Sequence, residues 1–290
     1  MQKKWLFLGE ASFRYSLALA RSGRAEGASL VATSFGDLGG PEKDANAAEL
    51  RDRFDARVVD GVDSTAIDAA KVGGGPFEKV FFLFPHAPVK GRVDLCRDLL
   101  VRTCRSVRGL LDAERGVFLV ALARGQGGTP QEPGPRRTNA WELASCAAEA
   151  GLFVSRAIPF EKHEFGAELA KWGYAATGRR GNDSSFRVEG ATMHELTTAE
   201  RATLQLEYFP RDVSWFVRDY ESVEAMVAAC KEIEGVTECA VLDKFEYPGG
   251  GKKSLTVRMR LRGFLSSEDA IRLQQHVAQT VGEKFGAVVR

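Results

Sequence analysis

Short apolar runs alternate with longer stretches of helical period in the first half of the chain, and this alternation constrains the fold most. Five runs predict β-strands, at residues 4–9, 29–35, 56–61, 79–85 and 116–123. Stretches with helical period, such as 12–22 and 93–112, lie between them. Strands and helices that alternate in this way form a parallel sheet covered on both faces. The sequence therefore predicts an α/β fold with a Rossmann-like, doubly wound sheet.

The segment after the fifth strand extends this sheet. Residues 124–135 contain too many Gly and Pro residues for regular structure, so they predict a long loop. Asn139 and Glu142 have the spacing of a capping box that opens a helix, and Gly151 closes it. A strand at 152–158 and a final antiparallel strand at 184–188 complete a predicted seven-stranded sheet.

The last third of the chain has a different order of elements. Residues 197–207 are polar and predict a linker between a first domain at 1–196 and a second at 208–290. In the second domain, strands are predicted at 212–217, 236–247, 254–262 and 287–289, with helices at 222–233 and 266–285. This βαββαβ order predicts a ferredoxin-like two-layer domain.

Composition limits the classes of function. A net charge of +1 argues against a uniformly basic surface, so any contact with nucleic acid must come from local patches. The five cysteines are odd in number and contain no C-x-x-C pair, which favours a reducing intracellular compartment: cytoplasm, nucleolus or mitochondrion. We expect no metal site, and no apolar run is long enough to cross a membrane.

One face of the C-terminal sheet carries a candidate RNA-binding patch. Alternation along the third strand of this domain places Arg258, Arg260 and Arg262 on the face opposite its apolar side chains, beside Phe216 of the first strand. Lys244 extends the patch. Guanidinium groups bind phosphate and an aromatic ring stacks on an unpaired base. The alternative is an open sheet face that arginines keep soluble, and alternation alone does not choose between the two.

The ends of the N-terminal strands carry a candidate ligand site, because a doubly wound sheet binds its ligand at the carboxyl ends of its strands. Acidic and small residues there suit a nucleoside-type ligand, whereas no G-x-G-x-x-G motif supports a dinucleotide. Each residue also has a structural interpretation. Asp63 is as well placed to cap a helix as to bind a ligand, and His86 would by default be a loop histidine.

The C-terminal sequence resembles the ferredoxin-fold anticodon-binding domain of phenylalanyl-tRNA synthetases. The similarity spans nearly all of 207–290 and is carried by FPRDVSW at 209–215, VLDKFEYP at 241–248, KKSLTVR at 252–258 and FGAVVR at 285–290. The resemblance implies that this domain binds a structured RNA through its sheet.

The N-terminal sequence resembles the eukaryotic large-subunit rRNA uracil-N3 methyltransferases over about 3–195. The motifs are FLGEASFRYS at 7–16, VATS at 31–34, GVDST at 61–65, FEKVFFLFPH at 77–86 and RGQGGTP at 124–130. The resemblance implies an RNA methyltransferase that uses S-adenosylmethionine and acts on rRNA or tRNA, including RNA within pre-ribosomal particles.

The same resemblance implies roles for individual residues. The cofactor-binding residues would be Gly9, Glu10, Ser34, Asp63 and Pro85. His86 would border the target base and serve as the general base, since a uracil imide must lose its proton as it is methylated. Arg124 and Gln126 would orient the base or a neighbouring phosphate.

The first loop departs from the family pattern. The family has Gly-Glu-Gly there, whereas this chain has Gly9, Glu10 and Ala11. A methyl group at a tight turn next to the cofactor can require a different turn. The rival hypothesis is therefore a catalytically inactive RNA-binding or ribosome-assembly factor that retains the methyltransferase fold.

Overall fold

The computed structural model describes residues 3–36, 40–87, 89, 91–129, 132, 140–178, 181–185, 188–198, 209–248, 251–261 and 267–290. The chain divides into two compact units, Met1–Ala202 and Thr203–Arg290. The division falls inside the predicted linker at 197–207.

The first unit is built on a seven-stranded sheet. Its strands are β1 (Lys3–Leu8), β2 (Ala28–Thr33), β3 (Arg57–Val59), β4 (Lys79–Leu83), β5 (Val117–Leu122), β6 (Phe153–Pro159) and β9 (Thr192–Thr197). Their order across the sheet is β3-β2-β1-β4-β5-β9-β6. The first five strands are mutually parallel, and β9 is antiparallel to both of its neighbours. The doubly wound α/β sheet expected from the sequence is confirmed.

The predicted last strand at 184–188 is wrong. The strand that completes the sheet is β9, while Ser184 and Ser185 belong to β8 (Gly181–Ser185), which pairs with β7 (Thr177–Gly178) in a separate hairpin. β9 was not predicted because its sequence includes polar residues. One of them, His194, is fully buried, and its ring lies 3.2 Å from the Glu132 carboxylate. A strand that buries a polar residue in this way lacks the continuous apolar run from which a buried strand is predicted.

The described residues of the first unit form four α-helices that cover the sheet: α1 (Arg14–Arg21), α2 (Gly40–Phe54), α3 (Val93–Arg108) and α4 (Leu143–Ala148). Glu142 precedes α4 but forms no side-chain cap, and Asn139 of the predicted capping box lies outside the described residues. The connection between β6 and β7 contains two short 3₁₀ helices, Phe160–Lys162 and Leu169–Trp172.

Aromatic packing holds α1 and the β6–β7 connection against the sheet. Phe7 of β1 stacks on Phe81 of β4 with ring centroids 4.8 Å apart, and both rings contact Tyr15 of α1. The Tyr15 hydroxyl donates a 2.8 Å hydrogen bond to the carbonyl of Phe165. These buried rings fix the start of α1 relative to the ends of β1 and β4.

The second unit is the ferredoxin-like sandwich that its sequence predicts. Its elements are β10 (Phe209–Val217), α5 (Val223–Glu232), β11 (Val236–Glu246), β12 (Lys253–Leu261), α6 (Ser267–Phe285) and β13 (Val288–Val289). The antiparallel sheet has the order β11-β12-β10-β13. Leu255, Val257, Met259 and Leu261 of β12 are fully buried, whereas Arg258 and Arg260 are exposed. The sheet therefore has a covered face and an open face.

Candidate functional site

A cleft of about 710 Å³ lies at the carboxyl ends of the parallel strands in the first unit. Its walls come from the loops after β1, β2, β3 and β4, together with part of α3 and residues 174–176. Ligand pockets typically measure about 300 to 1,000 Å³ and occur at this edge of doubly wound sheets. Gly9, Glu10, Asp63, Pro85 and His86 all line the cleft, so the structure brings these five predicted site residues together.

The first loop accommodates Ala11 without backbone strain. Gly9 has a left-handed backbone (φ 66°), and a Cβ atom there would lie 3.3 Å from the Phe82 ring. Phe13 is also left-handed (φ 55°), but Ala11 is not among the residues with positive φ. Glycine is therefore required at position 9 rather than at position 11. The departure from the family motif does not by itself deform the turn.

Glu10 caps α1 from the floor of the same loop. Its Oε1 atom accepts hydrogen bonds of 3.0 Å from the backbone N–H groups of both Tyr15 and Ser16. Its Oε2 atom is buried and has no hydrogen-bond partner among the described residues. Burial raises the pKa of this carboxyl to about 7, against the opposing effect of the hydrogen bonds from Ser16 and Tyr15.

Ser34 lies behind the wall of the cleft and does not line it. Its buried hydroxyl donates a 2.5 Å hydrogen bond to Asp60 Oδ1, and Lys43 Nζ lies 2.7 Å from the same carboxylate. The hydrogen bonds from Lys43 and Ser34 hold the Asp60 pKa below its usual value. The adjacent Phe35 does line the cleft, with 68% of its surface exposed. Phe35, rather than Ser34, is the β2-end residue that a ligand can reach.

Asp63 fixes a turn and lies on the cleft, but no helix follows it among the described residues 61–78, so the predicted helix cap is wrong. Oδ1 accepts hydrogen bonds from the Thr65 backbone N–H (2.8 Å) and hydroxyl (2.7 Å), which fixes the turn after β3. The residue also lines the cleft. A carboxylate has two oxygens, so a turn that uses Oδ1 leaves the group able to accept a further hydrogen bond.

His86 stands at the rim of the cleft in a defined tautomer. Its Nδ1 atom lies 2.6 Å from the carbonyl oxygen of Phe84. Because a carbonyl can only accept, Nδ1 carries a proton, and in the neutral form of the ring the lone pair is on Nε2. Phe84 itself is left-handed (φ 49°), a strained conformation for a bulky residue that is more frequent at functional sites.

The loop after β5 reaches the rim indirectly. Arg124 is exposed and Gln126 half-buried, and neither lines the cleft. The Gln126 carbonyl accepts a 2.5 Å hydrogen bond from the Trp141 backbone N–H, and the Trp141 ring packs edge-on against the His86 ring at 6.2 Å. The loop therefore helps to position the His86 ring through Trp141.

In the second unit, the predicted arginines pair with acidic side chains. Arg258 forms two hydrogen bonds of 2.8 Å with Asp212, and Arg260 lies 3.4 Å from Glu238. Arg262 lies outside the described residues. The open face also contains Phe216, which is half-buried and lies opposite Ser254.

The predicted position of Lys244 is wrong. Lys244 pairs with Leu255, whose side chain is buried on the covered face, so Lys244 projects from that side of the sheet. The cause is an extra residue in β11: Val241 pairs with Val257 but Asp243 pairs with Thr256. Such a bulge reverses the alternation of side chains beyond it.

Three residues at or beside the cleft were not singled out from the sequence as site residues: Phe35 and Tyr174, which line it, and Trp141, which packs against His86. An aromatic residue at the carboxyl end of a predicted parallel strand, as Phe35 is in the strand predicted at 29–35, is a usable signal for a ligand site. Trp141 and Tyr174 come to the site through long-range packing: Tyr174 contacts the Tyr15 ring at 5.4 Å. Across the described part of the chain, no three metal-ligating side chains cluster, and no helix is long and apolar enough to span a membrane.

Comparison with known families gives a match to the first unit. A family model described as BMT5-like, rRNA (uridine-N3-)-methyltransferase BTM5-like, matches residues 6–167. This segment contains the second half of β1, all of β2 to β6 and every cleft-lining residue except those at 174–176.

Two curated relatives are similar over a longer region. Ferredoxin-fold anticodon-binding domain-containing protein 1 of Homo sapiens is 36% identical over 202 residues, which is 67% of this chain. The Mus musculus homolog is 33% identical and covers 68% of the chain. The match takes in 31% of the length of each, so the chain spans about a third of these relatives.

Solved structures give weaker matches. TrmN from Thermus thermophilus is 11% identical, with a TM-score of 0.38, and the match covers 68% of this chain and 44% of that one. An O-methyltransferase of a Brevibacillus brevis polyketide synthase, crystallised with S-adenosyl-L-homocysteine, is 11% identical with a TM-score of 0.41, and the match covers 70% and 69%. The strand order β3-β2-β1-β4-β5-β9-β6 defines the fold.

Proposed function

The chain belongs to the BMT5-like family of rRNA (uridine-N3-)-methyltransferases, and from this membership we propose that it transfers a methyl group from S-adenosylmethionine to N3 of a uridine in RNA. The observation that carries the proposal is the cleft, which places Asp63 and Phe35 on the same cavity as His86. The second unit is proposed to contribute to binding of the RNA, which we take to be rRNA or a tRNA-like RNA.

The residues of the cleft fit an adenosyl cofactor. Phe35 supplies an exposed ring for stacking on a purine, and Asp63 supplies a carboxylate for its amino or hydroxyl donors. The left-handed Gly9 keeps the first loop free of a side chain at its closest approach to Phe82. When bound, S-adenosylmethionine supplies the methyl group from a sulfonium centre.

The hydrogen bond of His86 to Phe84 suits the reaction, because it leaves Nε2 as the ring nitrogen that can accept a proton. The N3 atom of uracil carries a proton and becomes nucleophilic as that proton leaves, so a neutral acceptor beside it lowers the barrier. With Nδ1–H held by the Phe84 carbonyl, the His86 ring accepts a proton at Nε2. The hydrogen bond to Phe84 and the packing of Trp141 orient the ring. His86 is therefore the proposed general base.

The proposal is tested in two steps with the full chain. Titration calorimetry with S-adenosylhomocysteine should show saturable binding at one site per chain. Methyl-labelled S-adenosylmethionine should then transfer label to rRNA or tRNA pools, and mass spectrometry of the digested nucleosides should identify 3-methyluridine. Binding without transfer to any RNA would favour the rival hypothesis of an inactive assembly factor. Absence of saturable binding would contradict both the proposed use of S-adenosylmethionine and the proposed methyltransferase activity.

Replacing Asp63 with alanine should weaken binding of S-adenosylhomocysteine by tenfold or more, because a hydrogen bond to a charged group is worth about 1.5–3 kcal/mol. Asp63→Asn separates this loss from damage to the turn. It retains an oxygen for the Thr65 donors but presents an amide donor in place of the second oxygen, so it should also bind weakly while unfolding at the parent temperature. Parent-like affinity in Asp63→Asn would show that only the turn matters.

Replacing Phe35 with alanine should weaken binding of S-adenosylhomocysteine by about three- to tenfold through loss of ring stacking. Phe35→Tyr retains a ring and should bind as the parent does. Trp172→Ala is the matched control, since Trp172 is also an exposed aromatic but does not line the cleft. If the Phe35 and Trp172 variants behave alike in calorimetry, Phe35 does not contact the ligand.

A further inference from the structure

The open face of the C-terminal sheet has two chemically different ends. Arg258 and Arg260 lie at one end, and each is ion-paired with a carboxylate, that of Asp212 and that of Glu238. Asp243 pairs with Thr256, midway between the two ends. Because these opposite charges nearly cancel, this end exerts little net attraction on phosphate.

Three aromatic residues lie at the other end, and we call this group the aromatic corner: Phe216, Phe245 and Tyr247. The Tyr247 ring packs edge-on against Phe245 at 4.9 Å and lies 6.0 Å from Phe216. Phe245 and Phe216 pair with Ser254 from either side, which places both on the open face. Helices cover the other face of the sheet, yet Ser254 on the open face is only 2% exposed. The Phe245 side chain beside it is 44% exposed. The corner therefore presents ring surface to solvent.

Two cations adjoin these rings. Lys252 Nζ lies 5.6 Å from the centre of the Phe216 ring, and the Arg290 guanidinium lies 5.9 Å from that of Tyr247. Neither forms an ion pair with any carboxylate among the residues whose placement is described. Positive charge beside exposed rings is the combination that binds single-stranded nucleic acid, with bases on the rings and phosphates on the cations. A purely apolar protein partner would not need the cations.

We propose that the aromatic corner, with Lys252 and Arg290, binds unpaired bases of single-stranded RNA, and that the ion-paired Arg258 and Arg260 do not carry this contact. The inference rests on the proposed function, since it takes RNA as the substrate, and it narrows that substrate to RNA with unpaired bases. A duplex keeps its bases stacked on one another and offers them no access to the rings.

The test compares two double variants of the full chain by fluorescence anisotropy with a labelled 12-nucleotide single strand and a duplex of the same sequence. The parent should bind the single strand more tightly than the duplex. Phe245→Leu with Tyr247→Leu removes the ring planes but keeps apolar bulk, and should weaken single-strand binding by about tenfold or more. The matched pair Arg258→Ser with Arg260→Ser should change it by less than twofold.

Further measurements keep the result interpretable. Phe245→Trp retains a ring and should preserve affinity, which a merely structural role of Phe245 would not predict. Lys252→Ala should lower the dependence of log affinity on log salt concentration by about one phosphate contact. A larger loss in the arginine pair, equal binding of duplex and single strand, or no RNA binding by the parent would each overturn the proposal. Binding of S-adenosylhomocysteine reports on the first unit separately, so its loss would defeat the proposed function alone.

Discussion

Replacing His86 with alanine is expected to slow methyl transfer to RNA by about 10²- to 10⁴-fold, the range that a positioned general base contributes. The affinity for S-adenosylhomocysteine should stay within twofold of the parent value, because His86 is proposed to act on the base and not on the cofactor. Single-turnover transfer of labelled methyl groups measures the first quantity and calorimetry the second.

Two variants show whether the lost rate comes from proton transfer. His86→Gln can still donate a hydrogen bond to the Phe84 carbonyl but cannot accept a proton at neutral pH, so it should be as slow as the alanine variant. His276→Ala changes an exposed histidine of α6 in the second unit and should retain the parent rate. Parent-like rates of methyl transfer in both His86 variants would show that His86 is a loop histidine and not the general base.

Replacing Glu10 with glutamine is expected to remove the contribution of this carboxyl to the pH dependence of stability between about pH 4.5 and 7. The carboxyl has a pKa of about 7 in the folded chain, above its ordinary value of 4.5, because it is buried. Folding therefore favours the protonated form. The associated stability is fully present below pH 4.5 and is lost as the pH rises through 7.

The size of this effect follows from the same two values. A rise in pKa from 4.5 to about 7 corresponds to about 3 kcal/mol between the two protonation states. At pH 8 Glu10→Gln should therefore raise the free energy of unfolding by about 1–3 kcal/mol, reduced by the weaker cap that a neutral oxygen gives α1. Urea denaturation at pH 5 and pH 8 measures it, with Glu26→Gln as an exposed control. If Glu10→Gln is less stable than the parent at pH 8, the stabilisation that the charged cap gives α1 exceeds the cost of burying the charge.

The sheet of the first unit could be predicted because its strands are apolar on both faces. Runs such as those of β1 and β4 have few alternatives to a buried parallel strand, and strand ends then identify Gly9, Asp63 and His86 as neighbours. The state of these side chains could not be predicted in the same way. The cap that Glu10 provides and the tautomer of His86 depend on where individual backbone N–H and carbonyl groups point, and a linear pattern does not contain that information.

The C-terminal sheet shows a different limit. Alternation correctly placed Arg258 and Arg260 on the open face, but their acidic partners are 46 and 22 residues away in the chain, so the pairing depends on strand register. The bulge between Val241 and Asp243 had the largest effect. Unbroken alternation from the buried Cys239 would put Lys244 on the open face and Phe245 on the covered one, and one extra residue exchanges them.

The position of β9 has a consequence for the order in which the chain can assemble. Strand β6 lies at the edge of the sheet, and its single neighbour is β9. Residues 153–159 are therefore synthesised more than thirty residues before the strand that must separate them from β5. During synthesis on the ribosome, the β5 edge remains open to mispairing until residues 192–197 have emerged, so the last segment of the first unit decides when its sheet can close.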